Sequence, residues 1–169
     1  MNTIYLEEVN STNLYAKSNI EKLQDRTLVQ AARQTSGRGR LQRSWVDLGG
    51  DNLFLTFVLK PAKTFSEIYS NLTQYLSVVL CKTLEEYSLQ PQIKWPNDVL
   101  LDGKKVAGIL SETVMQGNVF KGLVHGIGVN LNADENALKQ IDRPVTAVNL
   151  QMGETIDSEE FKGMLVNKF

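Results

Sequence analysis

The chain has 169 residues, a formal net charge of −1 and a pI of about 5.9. This length fits one domain over residues 1–169, and the charge argues against nucleic acid as the main partner. One cysteine cannot form an internal disulfide, and no apolar run approaches the ~20 residues that span a bilayer. Because the first twenty residues lack an apolar signal core and a basic leader, we expect a cytoplasmic protein without a membrane anchor.

Two elements and a loop are predicted in the first part of the chain. Ser11 or Thr12 can cap a short helix over residues 13–23, whose apolar side chains are spaced like one helical face. A β-prone segment follows at residues 27–33. Residues 34–45 are rich in glycine and arginine and show no hydrophobic period, so we predict a loop there.

The remaining pattern predicts strands and two helices. Residues 52–60 are almost continuously apolar and precede Pro61, which indicates a buried strand. Apolar residues recur at three- and four-residue steps over residues 65–87, the longest predicted helix. The other predicted elements are strands at residues 93–95, 99–101, 106–114 and 119–131, turns at Asp102-Gly103 and Gln116-Gly117-Asn118, and a last helix from about Ser158. Consecutive strands of this kind predict an α+β fold.

Three arginines lie among glycines between Gln34 and Trp45, in the stretch Gly37-Arg38-Gly39-Arg40-Leu41-Gln42-Arg43. Glycine lets backbone amides approach an anion closely, and guanidinium groups bind carboxylate or phosphate through paired hydrogen bonds. The stretch therefore suits a small anionic ligand. A solvated basic loop or an arginine–glycine contact with nucleic acid stays open as an alternative.

A second group of polar residues is Lys94-Trp95-Pro96-Asn97-Asp98, followed by a hairpin with Lys104 and Lys105. A lysine, an amide and a carboxylate around a proline turn could neutralise phosphate, recognise a polar group and hold a magnesium ion. From the pattern alone, an ordinary basic hairpin tip is the simpler explanation of Lys104 and Lys105.

Gly126, Gly128 and Asn130 interrupt the apolar strand 119–131, which indicates close approach of a ligand or of a neighbouring element. His125 has no evident partner for metal binding or nucleophile activation, so we predict a structural role for it, as for Cys81 in the core. The sequence lacks a GxxxxGK[ST] phosphate loop, a Rossmann glycine pattern, a nucleophile elbow and paired metal-binding histidines. Arginine, lysine and glycine amides instead suit phosphoryl or nucleotidyl transfer by positioning and charge stabilisation.

Four motifs in a fixed order carry a family resemblance: Gly37-Arg38-Gly39-Arg40 with Trp45, then KWPND, KVAGIL and GIGVNLN. With Ser11-Thr12-Asn13 and Gly50-Asp51-Asn52-Leu53, they make residues 9–132 resemble the biotin protein ligases. The resemblance implies a mixed, largely antiparallel sheet with helices packed on it, in the class II aminoacyl-tRNA-synthetase-like fold of biotin and lipoate ligases. It also implies two steps: ATP-dependent formation of biotinyl-5′-AMP, then transfer of biotin to a lysine of a biotin carboxyl carrier protein.

The resemblance also implies roles by position. Lys105 would stabilise charge on the carboxylate and α-phosphate, and Arg40 would act at the phosphates. Biotin would be bound by Ser11, Thr12, Gln34, Gly37, Arg38, Arg40, Lys105 and Gly108. ATP and the adenylate would be bound by Arg40, Trp45, Lys94, Asn97, Asp98, Lys105 and Asn130, with magnesium near Asp98. Biotin and ATP are substrates, so no tightly bound prosthetic group is implied.

The chain departs from the family pattern in two places. Gln42 stands where the family usually has glycine, and it would strain the loop if that position needs a positive φ. The chain also ends at Phe169, where such ligases commonly continue into a small β-barrel domain. It begins about ten residues before Ser11, too few for the helix-turn-helix domain of members that repress transcription. We therefore expect one catalytic domain with no DNA-binding role.

Other functions stay open at the level of sequence. Lipoate or octanoate ligases share the fold and the adenylate chemistry and differ in the ligand pocket, although the GRGR and KWPND motifs favour biotin. A non-catalytic protein that binds biotin or docks a carrier would follow if Gln42 and the shortened C-terminus have abolished turnover. An arginine–glycine RNA-binding module would need a basic surface that the net charge does not supply. The sequence does not fix the carrier protein, and an exposed strand could mediate a homodimer.

Overall fold

A computed structural model of the chain describes residues 1–47, 49–60 and 71–169, and the backbone alone of Gln42. The strands in these ranges are β1 (Asn2–Val9), β2 (Thr27–Gln34), β3 (Gly37–Arg38), β4 (Ser44–Trp45), β5 (Asp51–Leu59), β6 (Gln92–Lys94), β7 (Asp98–Leu101), β8 (Lys104–Gln116) and β9 (Val119–Asn132). The α-helices are α1 (Thr12–Ser18), α2 (Leu72–Glu86), α3 (Glu135–Leu138), α4 (Val148–Met152) and α5 (Ser158–Lys168). A short 3-10 turn, Arg40–Gln42, joins β3 to β4.

The described strands form one seven-stranded sheet, in the order β1-β2-β5-β9-β8-β7-β6, and a two-stranded sheet of β3 and β4. The β1·β2 pair is parallel, whereas β2·β5, β6·β7 and β7·β8 are antiparallel. Strand β5 is buried from Asn52 to Val58, as its continuous apolar run predicted. The predicted α+β class with a mixed, largely antiparallel sheet is confirmed.

Several element boundaries differ from the sequence prediction. Helix α1 ends at Ser18, and Ile20 and Leu23 reach the core from the turn that follows it. Strand β1 and the short helices α3 and α4 were not predicted. Trp95, predicted at the end of a strand, lies in the turn after β6 and is 75% exposed. Residues 65–70 of the predicted long helix lie outside the described residues.

The chain divides into two compact units. Unit 1 comprises the described residues within Met1–Asp47, Phe54–Leu72 and Leu110–Ile127. Its core joins α1 to the strands through a buried cluster made of Ala16, Ile20, Leu23, Val29, Val58, Val114 and Val124. Burial of such side chains, each worth about 1.5–3 kcal/mol for a large aliphatic group, fixes α1 against the sheet.

Unit 2 comprises the described residues within Leu48–Leu53, Thr73–Ile109 and Gly128–Phe169. Helix α2 buries one face, made of Leu76, Ser77, Val79, Leu80, Cys81, Thr83 and Leu84. Cys81 is a free thiol within that buried face, as predicted. A smaller cluster of Ala133, Leu138 and Ala147 packs α3 near the end of β9. No helix in the described ranges is long and apolar enough to cross a membrane.

Candidate functional site

Four polar side chains of unit 1 form a hydrogen-bonded group that we name the Asn13 cluster: Thr12, Asn13, Gln34 and Thr56. The Thr12 N–H and Oγ1 both donate to Gln34 Oε1, at 2.8 and 3.1 Å. The Thr56 Oγ1 lies 2.7 Å from Asn13 Oδ1 and 2.9 Å from Thr12 Oγ1. Thr12, Asn13 and Thr56 are at most 4% exposed, so the cluster is an ordered polar patch inside the fold.

The first turn of α1 positions this cluster. Ser11 is the N-cap, and its Oγ accepts the Leu14 N–H at 3.5 Å. Ser11, predicted to contact biotin, is 2% exposed. Thr12 and Asn13 follow directly, which turns both toward β2 and β5. The structure therefore brings the predicted residues Thr12 and Gln34 into direct contact.

Asn13 is fixed from three sides, and it was not among the predicted site residues. Its Nδ2 donates to Leu110 O at 2.9 Å and to Glu112 Oε2 at 3.1 Å. On strand β9, a Cβ at Gly126 would overlap Asn13 Oδ1 and lie 2.8 Å from Asn13 Cγ. The close approach that the glycine pattern predicted at position 126 is thus made by the Asn13 carboxamide.

Glu112 links the Asn13 cluster to two cations. Its Oε1 lies 2.7 Å from Lys17 Nζ and 3.7 Å from a guanidinium nitrogen of Arg38. Burial by itself would raise the Glu112 pKa, but hydrogen bonds from Lys17 and Asn13 and the charges of Lys17 and Arg38 outweigh it and lower the pKa. The carboxylate therefore stays ionised at neutral pH.

The glycine–arginine stretch is a small hairpin rather than an irregular loop. Gly37 pairs with Trp45, and Arg38 pairs with Ser44. A Cβ at Gly37 would lie 2.6 Å from Trp45 O, so this position requires glycine. Arg38 and Arg40 are both exposed, whereas Trp45 is half-buried.

The positive φ in the turn of this hairpin falls on Leu41, with φ 54° and ψ 41°. Gln42, the next residue, has helical backbone angles. The strain expected at Gln42 is therefore absent from its described backbone. The left-handed conformation costs Leu41 about 1 kcal/mol, because its Cβ crowds the following carbonyl.

A second group lies in unit 2, and we name it the Lys105 cluster: Lys105, Asp98, Asn97 and Gly108. The Lys105 Nζ lies 2.8 Å from Asp98 Oδ1, with side chains 18% and 24% exposed. The Asn97 Nδ2 donates to the same carboxylate oxygen at 3.0 Å and to Ile109 O at 3.4 Å. Asp98 stands opposite Gly108 in the β7·β8 pair. The β7–β8 hairpin therefore brings together four predicted site residues that come from two separate motifs.

The backbone of Lys105 is held by residues 144–146. Its N–H donates to Pro144 O at 3.0 Å, and its carbonyl accepts the Thr146 N–H at 2.9 Å. The Asn130 Nδ2 donates to Thr146 O at 3.0 Å. Thr146, which the sequence analysis did not identify, therefore connects the predicted residues Lys105 and Asn130.

The remaining predicted residues have simpler surroundings. Lys94 is exposed on β6, where its backbone pairs with Asp98. His125 is buried in β9 with Nδ1 2.8 Å from Ser111 Oγ, and burial lowers its pKa to about 4. It is therefore neutral at physiological pH, which fits a structural role. No group of three or more His, Cys, Asp or Glu side chains in the described residues could hold a metal ion.

These features first define a class. The α+β fold presents an ammonium group held by a carboxylate, exposed guanidinium groups and hydrogen-bonded amides, which are the groups that bind small anions in proteins. The chain belongs to the biotin/lipoate A/B protein ligase family, whose model matches residues 5–130.

Two relatives and one solved structure illustrate the similarity. The chain is 36% identical over 136 residues to the bifunctional ligase/repressor BirA of Bacillus subtilis (strain 168), covering 78% of this chain and 41% of that protein. It is 36% identical over 172 residues to the biotin–[acetyl-CoA-carboxylase] ligase of Paracoccus denitrificans, covering 97% of this chain and 70% of that one. The biotin protein ligase from Aquifex aeolicus in complex with biotin and ATP superposes with a TM-score of 0.83 at 31% identity, over 99% of this chain and 68% of that one. The predicted ligase fold is confirmed, and the chain spans 41% of the length of the Bacillus relative.

Proposed function

We propose that this chain joins biotin to a lysine of a biotin carboxyl carrier protein by way of biotinyl-5′-AMP, as a biotin–[acetyl-CoA-carboxylase] ligase. The observation that carries the proposal is the 36% identity to the Paracoccus enzyme of that name over 97% of this chain. The similar Aquifex structure, a complex with biotin and ATP, supports both molecules as substrates.

In the first step, a carboxylate oxygen of biotin attacks the α-phosphorus of ATP. A bond forms between that oxygen and phosphorus while the bond to the departing pyrophosphate breaks. Thr12 and Gln34 would bind the biotin ring system with Ser11, and Gly37 and Arg38 of the hairpin would close over it. The Asn13 cluster supports this assignment, because its hydrogen bonds hold Thr12 and Gln34 next to each other in a fixed geometry.

Lys105 would stabilise the negative charge on the carboxylate and α-phosphate oxygens. The Asp98 carboxylate, 2.8 Å from the Lys105 Nζ, holds the ammonium group in place before the substrates arrive. Arg40 would contribute a second positive charge at the phosphates. Lys94 and Asn97, which lie near Asp98 in the chain, would also contact the nucleotide. Asn130 and Trp45 would contact the adenosine part of the adenylate, and Gly108 would let biotin approach the backbone closely.

Magnesium would enter with ATP rather than as a resident ion. Asp98 supplies one carboxylate, and magnesium is usually held by one or two carboxylates together with substrate phosphates. The residues present therefore fit a metal ion delivered as the nucleotide complex.

In the second step, the amine of the carrier lysine attacks the carbonyl carbon of the adenylate and AMP leaves. Closure of the glycine–arginine hairpin would shield the mixed anhydride from water until the carrier docks. Because ATP is the co-substrate, we place the reaction in the cytoplasm. A homodimer stays a prediction that sedimentation equilibrium would test.

The test is pyrophosphate release by the purified chain with biotin and MgATP, followed by addition of a biotin carboxyl carrier protein. We expect a stoichiometric burst of pyrophosphate without carrier, and a mass increase of the carrier after its addition. Biotin binding without pyrophosphate would establish the non-catalytic alternative. Pyrophosphate release with lipoate or octanoate but not with biotin would assign the chain to the other branch of its family.

A further inference from the structure

We propose that Glu112 is a positioning residue that holds Arg38, and with it the glycine–arginine hairpin, against the Asn13 cluster. The inference rests on the proposed function, because it assigns Glu112 a part in binding biotin. Glu112 lies in no motif of the sequence, and only its contacts in unit 1 point to it.

The two oxygens of the Glu112 carboxylate contact different partners. Oε2 accepts the Asn13 Nδ2 at 3.1 Å, which ties Glu112 to the buried cluster. Oε1 faces Lys17 Nζ at 2.7 Å and the Arg38 guanidinium at 3.7 Å. One carboxylate therefore joins α1, the Asn13 cluster and the hairpin.

The contact with Arg38 is suited to positioning rather than to stability. At 3.7 Å it is longer than a hydrogen bond, and the Arg38 side chain is 46% exposed. Such a half-exposed ion pair contributes little to the free energy of unfolding. Because Arg38 pairs with Ser44 across the hairpin, fixing its guanidinium also restricts the hairpin backbone.

Lys17 provides the matched control. It shares the same Glu112 oxygen, lies on α1 and has no part in the hairpin. Glu112→Gln removes the charge that faces both cations but keeps an oxygen and a similar side-chain volume. Lys17→Met removes the other cation and leaves the Glu112–Arg38 pair in place.

The first experiment is calorimetric titration of the intact chain with biotin in the absence of ATP. We expect Glu112→Gln and Arg38→Met each to weaken biotin binding roughly five- to tenfold, and Lys17→Met to change it by less than about twofold. The double variant Glu112→Gln/Arg38→Met should bind within about twofold of Arg38→Met, since both changes remove one interaction. Additive losses, or unchanged affinity in Glu112→Gln, would overturn the inference.

The second experiment needs no biotin. Trypsin cleavage after Arg38, mapped by mass spectrometry, should be faster in Glu112→Gln than in the unmodified chain and unchanged in Lys17→Met. Glu112→Asp keeps the charge with a shorter reach, so we expect an intermediate rate, and this variant carries the test if Glu112→Gln does not fold. Equal cleavage rates in the Glu112 variants and the unmodified chain would refute the tether.

The two experiments separate the two proposals. If the unmodified chain binds biotin and the Glu112 variants match it in both assays, the positioning role fails and the proposed function stands. If the unmodified chain does not bind biotin, the proposed function fails and the role of Glu112 in biotin binding fails with it, whatever the cleavage rates show.

Discussion

Lys105 is held at its side chain by Asp98 and at its backbone by Pro144 and Thr146. Such a preorganised ammonium stabilises charge without reorganising during the reaction. We therefore expect Lys105→Met to lower the rate of biotin-dependent pyrophosphate release by roughly 100-fold or more.

Lys104 is the matched control for this prediction, because it is the adjacent lysine on the same hairpin and is exposed. Lys104→Met should leave the rate within about twofold of the unmodified chain. If Lys105→Met and Lys104→Met change the rate equally, the two lysines form an ordinary basic hairpin tip and Lys105 has no special role. Thermal melts of both variants would exclude unfolding as the cause.

Arg40 is exposed at the start of the turn in the glycine–arginine hairpin. Because an exposed arginine there packs against little core, Arg40→Ala should change the melting temperature by no more than about 1–2 °C. It should nevertheless speed loss of the adenylate, measured by trapping labelled biotinyl-5′-AMP on the chain. A large fall in melting temperature with unchanged retention would make Arg40 a structural residue.

The sequence could predict those residues of the candidate site that lie in short local motifs. Lys105, Asp98 and Asn97 lie in two short motifs, and the turn at Asp102-Gly103 folds them together. Glu112 and Thr146 were not predicted, because neither lies in such a motif. Each is an isolated polar residue whose partners are distant in the sequence, so only tertiary pairing reveals it.

At the scale of elements, β9 and α1 meet where Gly126 faces Asn13. Gly126→Ala places a Cβ onto Asn13 Oδ1, so Asn13 must leave Thr56 or the strand must shift. We expect this overpacking to cost about 1–3 kcal/mol of the free energy of unfolding and to abolish most biotin affinity. Chemical denaturation and calorimetry would measure the two effects.

Gly163 in α5 is the control for this substitution. A Cβ at Gly163 meets nothing within 4 Å, and alanine favours a helix over glycine. Gly163→Ala should therefore stabilise the chain by about 0.5–1 kcal/mol and leave biotin binding unchanged. If Gly126→Ala behaves in the same way, the Asn13 contact does not constrain the site.

The elements that the sequence predicted best are those with a clear local signal. Strand β5 carries an unbroken buried run. Helix α5 begins at Ser158, where the last helix was predicted. Strand β1 was not predicted. It lies at the edge of the sheet, and none of its residues is buried, so its sequence lacks a strong apolar pattern. The end of α1 was placed too late because Ile20 and Leu23 follow helical spacing while lying in a turn.

At the scale of the whole molecule, the buried His125 and the half-buried Glu112 make stability depend on pH. Burial lowers the His125 pKa from 6.5 to about 4, so between these values the unfolded chain binds a proton that the folded chain does not. Stability is therefore full above pH 6.5 and falls as pH decreases toward 4. Because the pKa of Glu112 is lower in the folded chain than its ordinary value of 4.5, the ionised carboxylate stabilises the fold above pH 4.5. This contribution is lost as the pH falls through the pKa that Glu112 has in the folded chain.

Thermal melts from neutral to acidic pH would resolve the two contributions. His125→Gln should flatten the decline in melting temperature between pH 6.5 and 4, whereas Glu112→Gln should reduce the decline that begins below about 4.5. An unaltered profile in His125→Gln would show that its burial has no such energetic effect.

The buried Cys81 has a practical consequence. Burial, with a smaller effect of the Glu85 charge, raises the pKa of its thiol to about 11, so little thiolate forms at neutral pH. The chain contains no other cysteine. A cysteine introduced at Leu41, whose side chain is 83% exposed, would therefore take a maleimide dye selectively in the otherwise unaltered chain. The native sequence thus already provides the background for a fluorescent reporter on the glycine–arginine hairpin.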